Sequence, residues 1–207
     1  MWYELIKSLK LWLTIDYLVT ASILYILFFL AALSALWVHD AGAAEPVPAK
    51  WARVQDWFNQ QTYTEKAISD AEFTKLLVGT NQRINQRRYQ SDKGDHWKTP
   101  AEFRADDGGD CEDYVIAKMD ALARAGIPLE SMELLIVKRN QLFSHALLAV
   151  QRGGGTMLLD NQSDLPTVSL SASYRIVYRI VIHKVANRVY ATYDELERVM
   201  SFNTMGY

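Results

Sequence analysis

The chain has 207 residues, half of them apolar and 22% charged, with a formal net charge of −2. That length allows one globular domain and a short extra segment, and the near-neutral balance argues against a nucleic-acid partner. One cysteine, Cys111, rules out an intramolecular disulfide.

The first element is the uncharged run Tyr17 to Val38, YLVTASILYILFFLAALSALWV. As a helix it would reach roughly 33 Å at about 1.5 Å per residue, close to a bilayer core of about 30 Å. Lys7 and Lys10 precede it, Asp40 and Glu45 follow it, and the next Lys or Arg is Lys50. That asymmetry predicts a cytoplasmic N-terminus with the rest of the chain across the membrane. Small residues in AGAAE, Ala41 to Glu45, suit signal-peptidase cleavage, whereas the length of the run suits a retained anchor. The sequence leaves both open, and both export the domain. The expected organisation is a signal peptide or signal anchor at 1–44, a Pro-containing linker at 45–50 and one domain at 51–207.

Helices come next. Trp51, Val54, Trp57 and Phe58 fall at helical spacing. Phe73, Leu76, Leu77, Thr80 and Ile84 form a second stripe, with Gly79 as a candidate break. SDKGDHWKTP reads as a loop closed by Pro100. A further helix is predicted from Asp110 or Cys111. Asp is a good N-cap, acids suit a first turn, and Cys111, Val115, Met119 and Leu122 share a face. Gly126 and Pro128 end it.

Strands follow at MELLIV (132–137), HALLAV (145–150) and TMLLD (156–160), with connections short enough for an antiparallel meander. YRIVYRIVIH (174–183) alternates as a further strand. TYDE (192–195) before LERVM has a capping-box form and predicts a terminal helix.

An exported lone thiol among polar neighbours points to chemistry more than to core packing. A helix N-terminus stabilises a thiolate, while adjacent acids oppose it. His145 begins one strand and Asp160 ends the next. If Leu147 lies opposite Asp160, His145 and Asp160 share a sheet face as diagonal neighbours, and a one-residue slip would separate them. The sequence does not fix that register. With it, Cys111 is the candidate nucleophile, His145 its base and acid, and Asp160 the group that orients the imidazole.

GDCEDYVIAKMDALARAGIP, SHALLAV and LLDNQ, together with the upstream WKTPAEF, resemble the bacterial transglutaminase-like cysteine proteinases over roughly residues 50 to 165. The resemblance implies an α+β, papain-like or transglutaminase-like fold with helices packed on an antiparallel sheet, and a Cys111–His145–Asp160 triad. It implies calcium held through Asp110, Glu112 and Asp113. It also implies a periplasmic endopeptidase that releases a large repeat-containing surface adhesin by cutting near its N-terminus. Biofilm attachment would then be controlled by an inner-membrane cyclic di-GMP receptor whose periplasmic domain sequesters the protease. A bound divalent cation would reverse the field of the acids at the thiol, and hard oxygen ligands suit calcium. Two other readings share these features. One is an acyltransferase that resolves the same acyl-enzyme with an amine. The other is a non-catalytic exported calcium-binding module.

Overall fold

The computed structural model describes residues 47–92, 94, 96–139, 143–186 and 188–195. The apolar run at 17–38 and the LERVM segment at 196–200 lie outside the described residues. Among the described residues no helix is long and apolar enough to cross a membrane.

The helices are α1 (Val47–Asn59), α2 (Asp70–Asn85), α3 (Pro100–Ala105) and α4 (Cys111–Ala125). Each sequence signal has a local cause. Ser69 caps α2 by accepting from Glu72 N–H at 3.2 Å. Thr99 and Glu102 form a capping box on α3, and Pro100 opens that helix, where its missing N–H costs nothing. Gly126 ends α4 at φ 108°, a left-handed conformation that glycine adopts without strain. Gly79 does not break α2. A Cβ there would meet nothing within 4 Å, so the residue faces open space and costs the helix only about 1 kcal/mol of propensity.

Five strands form one antiparallel sheet: β3 (Met132–Arg139), β4 (Phe143–Arg152), β5 (Gly155–Leu159), β6 (Tyr174–Val185) and β7 (Arg188–Glu195), in the order β5-β4-β3-β6-β7. The predicted meander is β3-β4-β5. A small parallel pair, β1 (Arg88–Tyr89) and β2 (Gly108–Gly109), sits just ahead of α4.

The predicted terminal helix is not found where its cap was expected. Thr192 and the residues to Glu195 belong to β7, paired to β6 through Val181↔Thr192 and Tyr178↔Glu195. Strand pairing uses the backbone groups that a helix start would have left free.

The sheet buries residues on both faces, which explains why β3 and β4 read as continuous apolar runs. One face carries Leu134, Ala146, Leu148, Val150 and Leu159 against Val115, Met119 and Leu122 of α4 and Trp51 and Phe58 of α1. The other carries Leu135, Val137, Leu147, Ala149 and Leu158 under Leu170 and Tyr174. α4 is also buried on its far side, where Tyr114 and Ala117 meet Phe103. The fold is thus α+β, with helices packed on a five-stranded antiparallel sheet.

Candidate active site

The β4–β5 pairing sets the chemistry. Leu148 pairs with Leu159 and Ala149 with Leu158. Continued by one residue, this register puts Asp160 opposite Leu147, so His145 and Asp160 share a face. His145 Nε2 lies 2.8 Å from Asp160 Oδ1. The imidazole is buried and stacks on Tyr174 at 6.1 Å. Because Nε2 engages the carboxylate, Nδ1 is the nitrogen left to meet another group.

Asp160 is itself held on several sides. Its Oδ1 accepts Gln162 N–H at 2.8 Å, and its carbonyl accepts Asn85 Nδ2 at 2.9 Å. Burial alone would raise its pKa. The His145 hydrogen bond, the Gln162 N–H and the charges of His145 and Lys118 outweigh burial and hold the carboxyl below its usual range.

Cys111 is the first residue of α4 and is half-buried. β4 runs past the end of β5, and the N–H of Ala146, beyond the last β4–β5 pair, bonds to the sulfur. This backbone contact brings the thiol beside the residue that follows His145. The thiol also donates to Glu112 Oε2 at 3.2 Å. Among the described residues no hydrogen bond joins Cys111 to His145. Burial pushes the thiol pKa well up, and the charge and hydrogen bond of Glu112 and the charge of Asp110 push the same way. The Ala146 N–H opposes them. A helix N-terminus contributes at most about 2 kcal/mol at a partly buried site, less than burial and the acids together.

One carboxylate oxygen from each of Asp110, Glu112 and Asp113 lies within 4.8 Å of the others. Asp110 Oδ1 and Glu112 Oε1 are buried without a hydrogen-bond partner among the described residues. Asp113 differs, since its oxygens accept Lys98 N–H at 2.7 Å and Asp110 N–H at 3.2 Å. Burial, then the hydrogen bond and charge of Asp110, lift Glu112 to about 8. Burial, with the charge of Asp110 adding to it, lifts Asp113 to about 7. Burial also raises Asp110. Crowded carboxylates with unpartnered inward oxygens form a donor set that fits a hard divalent cation.

Sequence reasoning missed Asp92. Its charge raises the Asp110 pKa while its backbone N–H lowers it, and its Oδ1 is buried and unpartnered among the described residues. In the sequence it is one acid in an Asp-rich loop, and no spacing rule distinguishes it. Lys118, in the middle of α4, was missed as well. Its side chain is fully buried, and Nζ has no hydrogen-bond partner among the described residues.

Comparison with solved structures finds LapG of Legionella pneumophila. Its calcium-bound form is 23% identical, covers 69% of this chain and 76% of that chain, and has a TM-score of 0.48. An EGTA-treated form is 25% identical, covers 62% and 69%, and scores 0.47. A further LapG structure is 26% identical over the same shares and scores 0.46. No curated protein matches. Residues 52–189 match the family described as bacterial transglutaminase-like cysteine proteinase, BTLCP. That span is most of the chain and contains Cys111, His145 and Asp160, so the chain belongs to the bacterial transglutaminase-like cysteine proteinases.

Proposed function

We propose that this protein is a calcium-dependent periplasmic cysteine endopeptidase that cuts a large surface adhesin near its N-terminus and so controls biofilm attachment. The observation that carries the reading is the 2.8 Å His145–Asp160 hydrogen bond beside a helix-start thiol, in a chain of a cysteine proteinase family. In the proposed cycle His145 Nδ1 takes the Cys111 proton as the sulfur attacks the scissile carbonyl. The imidazolium then protonates the leaving amine. His145 next draws a proton from water, which hydrolyses the thioester and restores the thiol. Asp160 fixes the tautomer that leaves Nδ1 free, and offsets the imidazolium charge.

Asp110, Glu112 and Asp113 would hold calcium, with Asp92 as a further donor through its unpartnered Oδ1. Bound there, the cation supplies positive charge that offsets the carboxylates now raising the thiol pKa. Export through the 17–38 segment, either cleaved or retained as a tether to the inner membrane, would place the enzyme with its substrate. An inner-membrane cyclic di-GMP receptor with a periplasmic domain is the proposed inhibitor.

The test is cleavage of the N-terminal region of the same organism's large adhesin by purified full-length protein. Calcium should support cutting, EGTA should slow it, and magnesium should fail to restore it. Cys111→Ala and His145→Ala should each lose at least about 10³-fold, because residues acting as a unit fail together. Incorporation of an added amine in place of hydrolysis would favour the acyltransferase. Undiminished cutting by Cys111→Ala would refute the proposal.

A further inference from the structure

The stripe that α2 lays against the core ends in amides. Phe73, Leu77, Asn81 and Asn85 recur every four residues along one side of the helix. Phe73 and Leu77 are core residues, and Asn81 is as completely buried as Leu77. Asparagine is a weak helix former, and a buried amide needs partners to offset the water it gives up. Leucine at either place would suit both the helix and the core.

Both amides reach the loop that carries Asp160. β5 ends at Leu159, so Asp160 lies beyond the last β4–β5 pair. Leu158 and Thr167 exchange backbone bonds at 2.7 and 2.9 Å and close the loop at its neck. Inside it, Asn85 Nδ2 donates to the Asp160 carbonyl at 2.9 Å and to the Ser163 carbonyl at 3.0 Å, which uses both hydrogens of that amide. Asn81 Nδ2 donates to the same Ser163 carbonyl at 2.6 Å. Carbonyls only accept, so each amide must turn its nitrogen to the loop. Oδ1 of each is then left buried without a partner among the described residues, a cost that leucine would not carry. What the asparagines contribute is therefore their donors.

The contacts run on to the site. Asp160 Oδ1 accepts the Gln162 N–H at 2.8 Å, which ties the carboxylate to the loop backbone, and meets His145 Nε2 at 2.8 Å. His145 is placed by the β3–β4 ladder, where it pairs with Val137. Asp160, outside that ladder, takes its place from α2. We infer that Asn85 is a positioning residue for the candidate triad, with Asn81 in support: by pinning the carbonyls of Asp160 and Ser163 to α2, the two amides hold the Asp160 carboxylate at hydrogen-bond distance from His145. The inference rests on the triad reading above, and it gives neither asparagine a contact with substrate.

The test is nuclear magnetic resonance on the full-length protein with isotope-labelled histidine; the chain has only four histidines, which eases assignment. The His145 Nε2–H proton held by Asp160 should give a downfield resonance that Asp160→Asn removes. In Asn85→Ala that resonance should move upfield, and its proton should exchange with water at least about fivefold faster, as expected for the loss of about one net hydrogen bond. Asn85→Asp keeps the size but sets an acceptor against two carbonyls, and should do at least as much. In the cleavage assay Asn85→Ala should lower kcat roughly tenfold or more with KM unchanged. Leu77→Ala, on the same stripe, is the structural control: it should lower the melting temperature and leave the resonance at its position. If the wild-type resonance is absent, or survives Asp160→Asn unchanged, the triad reading fails and takes this inference with it. If Asp160→Asn removes it while folded Asn85→Ala and Asn85→Asp leave its position and exchange unchanged, the role of Asn85 is overturned and the triad survives. A displacement in Leu77→Ala as large as that in Asn85→Ala overturns the role as well, since the asparagines would then act through stability alone.

Discussion

Lys118→Met should make the protein more stable, in a pH-dependent way. Burial lowers the ammonium from 10.5 to about 7. At about 1.4 kcal/mol per tenfold, this corresponds to roughly 4–5 kcal/mol held against the charged folded state. The sign follows from proton uptake. Below about 7 the unfolded and folded chains are both protonated, and the penalty is complete. As pH rises from about 7 to 10.5 the folded chain has released its proton while the unfolded chain still binds one, so the wild type gains stability and the penalty fades. Methionine keeps the length and fills the same space, but it forfeits the cation over Tyr114, about 1 kcal/mol. The net gain is therefore about 3 kcal/mol at pH 7, falling below about 1 kcal/mol near pH 10.5. Equilibrium urea unfolding of both proteins at pH 7, 8.5 and 10, followed by tryptophan fluorescence, measures it, since the difference between variants cancels the other titrating groups. A variant less stable than wild type at pH 7, or a gain equal at pH 7 and pH 10, would refute the reasoning.

Two further predictions concern the approach to the site and the export segment. Gly108→Ala should cost more than about 2 kcal/mol and impair activity, because φ is 146° and a Cβ would collide with the Arg88 carbonyl oxygen; thermal unfolding of the purified variant tests this, and an unchanged midpoint contradicts it. Intact-mass measurement on membrane and periplasmic fractions decides the fate of residues 1–44: a species beginning near Ala44 or Glu45 means cleavage, a full-length membrane species means an anchor, and soluble full-length protein in the cytoplasm contradicts both.

α4 was legible because its signals are local. Asp110 before Cys111, the Val115–Met119–Leu122 stripe and the Gly126 stop all act within a few turns, and the helix runs between them. The register that brings His145 to Asp160 was only conditional in the sequence, since it depends on how many residues the Gly153–Gly155 turn consumes. The turn takes few enough that Arg152 pairs with Gly155, and the rest of the ladder follows. TYDE misled because a capping box is a four-residue pattern, whereas β7 is decided by β6. Val189 is buried in the strand, and Ala191 and Tyr193 pack against the core. Asp92 and Lys118 left no periodic trace. Aspartates are common in loops, and a lysine in a helix ordinarily points outward. Only the burial of α4 on two sides, against the sheet and against Phe103, puts Lys118 inside.

The candidate chemistry lies between Asp92 and Asp160, yet the sheet is not finished there. β3 is its central strand, with β4 on one side and β6 on the other. A chain that stopped at Ser163 would present the outer side of Glu133–Arg139 as a row of unpaired amides and carbonyls flanked by Leu134, Leu135 and Ile136, a ready template for adding a foreign strand. β6 covers that template, and among the described residues β7 becomes the outermost strand in its place. β7 is a safer border. It carries Arg188 and Asp194, and Asn59 of α1 occupies its Val189 backbone, donating to the carbonyl at 3.3 Å and accepting from the N–H at 2.6 Å. The β6–β7 hairpin thus acts as a guard against misassociation along the central strand of the sheet.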